Sequence, residues 1–166
     1  VRNPGEYVAM RDIFLKFNPK LKYLPITKKK LLLKIAQEGN MRTETLLEET
    51  ISLASKKLSR SAKSGEDLSD GSEVKWCSFY KTKNGQTYSY TSKIGSVQNK
   101  KGTLRVAAYI DHCEEIQLFV IPARKWKLMT NGSGKKQIRL SYNTRTNAVS
   151  RISEFRVDWK SFISLK

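Results

Sequence analysis

The eleven residues of Gly65–Lys75, GEDLSDGSEVK, hold four of the chain's fifteen acids, Glu66, Asp67, Asp70 and Glu73, and end on a lysine. Carboxylates gathered this closely offer the oxygen donors that a hard divalent cation prefers. The remaining chain is strongly basic, which suits a polyanionic partner. A cation held by carboxylates, facing phosphates drawn in by lysines, is the equipment for metal-assisted chemistry on a phosphodiester.

The geometry expected of this stretch follows from turn chemistry. Ser69, Asp70 and Gly71 read as a three-residue hairpin loop, a type I turn closed by a glycine in the left-handed region. Asp67 then stands opposite Glu73, and Asp67, Glu73 and Lys75 project from one face because strand side chains alternate. Two carboxylates at cross-strand distance, roughly 5 Å, repel unless a cation bridges them. Magnesium fits such a pair, completing its shell with water and substrate phosphate. Lys75 would orient the attacking water or stabilise charge in the transition state. Asp70 is a further metal candidate, or a plain turn residue. A two-residue turn at Asp70 and Gly71 would instead set Leu68 against Glu73 and send Asp67 to the other face. Glu73 and Lys75 also admit a purely structural reading as an exposed strand ion pair.

Composition narrows the rest. A chain of 166 residues, 39% hydrophobic and 10% aromatic, is large enough for one compact domain. Its net charge of +17 and pI near 10.0 exceed what solubility needs and favour nucleic acid. From Trp76 to Ile110 the chain carries Lys81, Lys83, Lys93, Lys100, Lys101 and Arg105 and no acid, so these bases, with Ser92, are the expected DNA contacts. No apolar stretch reaches membrane-spanning length. Cys77 and Cys113 lack metal-knuckle spacing and suit a reducing cytoplasm. His112 is the lone histidine, which removes histidine-metal and Ser-His-Asp chemistries. The sequence opens on Val1 rather than methionine, as a trimmed or partial chain would.

The elements that must position these residues are helices followed by strands. Glu6 to Phe17 and Thr27 to Glu38 read as helices, forming an N-terminal helical region over residues 1–42. Thr45 and Glu48 form a capping-box pattern for a third helix running to about Lys63, with Leu47, Ile51, Ala54 and Leu58 on one stripe. Beyond it, Ser72 to Tyr80 and Gln86 to Ile94 flank an Asn84-Gly85 hairpin turn. Leu104 to Ile110 and Ile116 to Ile121 form a second strand pair. A short helix at Ala123 to Met129, a strand at Gln137 to Tyr142 and a mixed segment at Glu154 to Phe162 complete the chain. The expectation is an α+β fold with helices packed on a mixed, mostly antiparallel sheet, residues 43–166 forming the core.

Asp67 followed by Glu73, Val74 and Lys75 resembles the motif of the PD-(D/E)XK nuclease superfamily, and the run from Asp67 to Lys75 resembles its type II restriction endonucleases. The motif lacks the preceding proline and its acids stand closer than is usual. The resemblance implies a restriction-endonuclease-like core, a magnesium ion bound by Asp67 and Glu73, and a site completed by Lys75. It also suggests Glu48, on the preceding helix, as a further metal ligand. Its implied partner is double-stranded DNA cut by a homodimer in a prokaryotic cytoplasm. The competing readings are a homing or repair nuclease of the same superfamily and a basic nucleic-acid-binding module without catalysis.

Overall fold

The computed structural model describes residues 43–55, 58–59, 61, 67–94, 102–130 and 137–164. The two helices expected before residue 43, Lys100 and Lys101 lie outside these. Along the described chain run α1 (Thr43–Ala54), β1 (Glu73–Asn84), β2 (Thr87–Ile94), β3 (Leu104–Ile110), β4 (Glu115–Ile121) and α2 (Ala123–Thr130). Then come β5 (Ile138–Asn143), β6 (Ala148–Val149), a single 3-10 turn (Ser153–Phe155), β7 (Arg156–Val157) and α3 (Trp159–Phe162). The fold is α+β, a mixed seven-stranded sheet in the order β6-β5-β2-β1-β3-β4-β7 with few helices.

The long strand β1 organises the sheet. Its first half, Glu73 to Phe79, pairs in parallel with β3, and its second half, Tyr80 to Asn84, pairs antiparallel with β2. The hairpin falls where expected but its two-residue loop is Gly85-Gln86, one position later than Asn84-Gly85, because Asn84 pairs with Thr87; Gly85 opens it with a φ of +64°. The β3–β4, β2–β5, β4–β7 and β5–β6 pairs are all antiparallel. The parallel β1–β3 pair has no local signal, because its partners are joined through β2 and a long connection.

Strand alternation sorts the core onto two faces. Val74, Trp76, Ala107, Tyr109, Leu118 and Val120 pack beneath Leu46, Leu47 and Ile51 of α1 and Phe162 of α3. Cys77, Phe79, Val106, Ala108, Phe119 and Ile121 face the other way, against Trp126 of α2 and the β2–β5 residues Ile94, Ile138 and Leu140. Burying each such aliphatic side chain stabilises the fold by about 1.5–3 kcal/mol.

Helix α1 differs from its expected bounds. It includes Thr43 and Glu44, so Thr45 sits inside the helix and is not its cap. It ends at Ala54 because the Ser55 hydroxyl donates to the Ile163 carbonyl at 2.9 Å and accepts from the Leu58 amide at 3.0 Å. A serine side chain that bonds the backbone in this way competes with the helical ladder. No helix among the described residues is long and apolar enough to cross a membrane.

Candidate active site at the start of the central strand

The acidic hairpin folds with the three-residue loop. The Gly71 amide donates to the Leu68 carbonyl at 3.0 Å, the Leu68 amide donates to the Ser72 carbonyl at 3.2 Å, and Gly71 has a φ of +82°. The hairpin is held from outside by Ser59 and Ser61. The Ser69 amide donates to the Ser59 carbonyl at 2.8 Å, and the Ser61 amide to the Asp67 carbonyl at 3.0 Å.

Glu73 and Lys75 share a face of β1, as alternation requires, and form an ion pair of 3.6 Å with side chains only 8% and 16% exposed. With Glu73 buried and Lys75 half-buried, the pair is not the exposed one that its sequence admits. Burying an ammonium and a carboxylate costs solvation, which the fold recovers only through close pairing.

The Asp67 carboxylate makes a bond that its spacing did not announce: Oδ2 accepts from the Val74 amide at the edge of β1, at 2.7 Å. The Glu73 amide points to the opposite edge and donates to the Thr103 carbonyl at 2.9 Å. The Asp67 side chain thus takes the place of the next main-chain acceptor in the hairpin ladder. The result holds a carboxylate against the peptide that joins Glu73 to Val74.

Arg105 leaves its expected role, and Asp70 takes the structural one of its two. Arg105 is fully buried, so it does not meet a phosphate. Its Nη2 donates to Asp70 Oδ2 at 2.9 Å and to the Ser164 carbonyl at 3.0 Å. Its Nε donates to Ser72 Oγ at 3.1 Å and its Nη1 to the Phe162 carbonyl at 2.6 Å. The other Asp70 oxygen accepts from the Ser72 amide at 3.0 Å and from the Ser72 hydroxyl. With both oxygens committed, Asp70 is a structural anion and not a metal ligand. Burial pushes its carboxyl up, but the bonds from Ser72 and Arg105 outweigh burial and hold it below 3.8.

Glu48 is buried on α1, the helix packed on β1. Glu44, four residues earlier, lies on the same side of that helix. Its charge is felt at Cys77, whose thiol is pushed up to about 12 by burial first, against a Ser92 hydrogen bond, with Glu44 adding to the rise. Glu44 is the acid near this face that sequence reasoning missed; its i, i+4 spacing with Glu48 was the available signal. Among the described residues no three ligating side chains converge into one cluster.

The remaining expected contacts divide. Lys81, Lys83 and Lys93 are exposed. Ser92 shares the β1 face of Cys77 and hydrogen-bonds its thiol, so it is turned away from the surface that carries Lys93. No family model, no curated protein and no solved structure matches the chain.

Proposed function

We propose that this protein is a magnesium-dependent endonuclease that hydrolyses phosphodiester bonds in double-stranded DNA. The observation that carries the reading is the Glu73–Lys75 pair at the start of β1, with the Asp67 carboxylate held 2.7 Å from the Val74 nitrogen of the adjoining peptide. The residues suit a hard cation: Asp67 and Glu73 offer oxygen donors, and only one Asp67 oxygen is engaged by the Val74 amide. Those two residues would hold the ion, with Glu48 the further candidate on the packed helix. Bound there, magnesium would supply acidity to water and offset charge on the scissile phosphate.

The chain's own residues have separable tasks in this reading. Lys75 pairs with the buried Glu73 carboxylate and presents an ammonium to the transition state. Asp67 fixes the edge of β1 and contributes negative charge. The net charge of +17 draws the DNA in. Cleavage of the restriction type, by two copies about a twofold axis on a restriction-endonuclease-like core, is the form suggested by the motif resemblance.

A second reading, a nucleic-acid-binding module without catalysis, is favoured by the Lys75 ammonium already neutralising Glu73 and by the lack of a three-ligand cluster among the described residues. Incubating the purified protein with supercoiled plasmid and magnesium separates the two. The nuclease reading expects nicking by the native chain, and Lys75→Ala to lose it while duplex binding persists. A native protein that binds duplex with steep salt dependence but never nicks it establishes the binding module.

A further inference from the structure

We propose that the outer face of the β2–β5 ladder is a phosphate-binding site for a nucleic-acid backbone, built around Lys93 and Arg139. These two residues are direct cross-strand partners. Both are exposed, and neither side chain pairs with an acid among the described residues. Like charges directly opposite each other on a sheet destabilise it. A fold keeps such a pair at a cost unless an anion sits between them.

The surroundings are those of an anion site. Thr91 and Ser141 form the next cross-strand pair on the same face. Ser150 adjoins them: its Oγ accepts from the Ser141 amide at 2.8 Å and lies 3.1 Å from the Ser141 hydroxyl. Together these residues line an open depression of about 610 Å³, with no acid among the described residues that line it. Arg151 adds a third cation, its guanidinium donating to the Arg139 carbonyl at 3.4 Å and the Met129 carbonyl at 3.1 Å. It does so from a φ of +68°, a conformation that costs a non-glycine residue energy. Two cations opposed on adjacent strands, with hydroxyl groups beside them, supply the charge and donors that a phosphodiester takes.

This site lies on the sheet face opposite to that bearing Glu73 and Lys75, because Lys93 and Arg139 alternate with the inward-facing Ser92 and Leu140. Its role is to hold a nucleic-acid backbone; it rests on the nucleic-acid partner of the proposed function and not on the metal chemistry. Binding of a labelled DNA duplex in EDTA, titrated with salt, tests it without any cleavage. The Lys93→Ala/Arg139→Ala double variant is expected to bind on the order of tenfold to a hundredfold more weakly, its plot of log K against log salt shallower by about 1.8. Lys93→Arg/Arg139→Lys is expected to keep the native slope.

Arg139→Glu gives a signature that misfolding does not. Replacing repulsion by attraction across the ladder is expected to raise Tm while binding falls. A native slope in the double alanine variant overturns the proposal, and so does a lowered Tm for Arg139→Glu. Neither result touches the nuclease reading, which fails separately if the native protein never nicks DNA.

Discussion

Arg105 and Asp70, 35 positions apart, meet at 2.9 Å with the guanidinium wholly buried. The pair ties the acidic hairpin to the carbonyls of Phe162 and Ser164 at the end of the described chain. Removing the carboxylate leaves a buried charge without its counter-ion, so Asp70→Ala is expected to cost about 3–5 kcal/mol in urea unfolding. The pH dependence has a definite sign. The Asp70 carboxyl is held below 3.8 in the fold, so its stabilisation is complete above that value and is lost as pH falls through the folded pKa. Unfolding midpoints measured across the acid range should show this component in the native protein and lack it in the variant. A variant as stable as the native chain would remove the structural role assigned to Asp70.

The two cysteines should differ sharply in reactivity. Cys77 is buried, with its thiol raised to about 12 chiefly by that burial. Cys113 is exposed in the β3–β4 turn, its thiol also raised, first by partial burial and then by Glu115. Because the thiolate is the nucleophile, alkylation at about pH 8 is expected to label Cys113 alone, more slowly than free cysteine. Mass spectrometry of the digested protein reads this directly. Labelling of Cys77 in the native state would mean that the core around β1 opens readily.

Turn chemistry and strand content were legible because single residues specify them. Gly71 and Gly85 both take positive φ; Ser69 and Asp70 gave the first loop, whereas Asn84 pairs with Thr87 and the second loop is shifted to Gly85-Gln86. Strand β3 was legible to the residue, since Leu104 to Ile110 is a continuous apolar run apart from one arginine. That run also held an unread signal. A strand apolar at successive positions is buried on both faces, so Arg105 within it had to be buried and to require an acid. The parallel β1–β3 pairing was not legible, because no local pattern records a partner reached through a crossover. Within the site, alternation placed Glu73 and Lys75 together correctly. It did not announce the bond from the Val74 amide to the Asp67 carboxylate, because strand periodicity sets where Cβ points and not what the group beyond it bonds.

The Asp67 carboxylate carries two separable properties, a hydrogen-bond acceptor for the Val74 amide at 2.7 Å and a negative charge. Asparagine keeps the first and removes the second, whereas alanine removes both. Asp67→Asn is therefore expected to fold with stability within about 0.5 kcal/mol of the native protein, as most substitutions that preserve local bonding do. Asp67→Ala is expected to lose about 1–3 kcal/mol by leaving the Val74 amide without its acceptor. Plasmid nicking in magnesium should be lost in both, because the nuclease reading requires the charge. If Asp67→Asn cleaves as the native protein does, the carboxylate serves only to finish the edge of β1. Glu73 would then have to hold the cation without it, and the metal site would have to be sought on the α1 side, at Glu48.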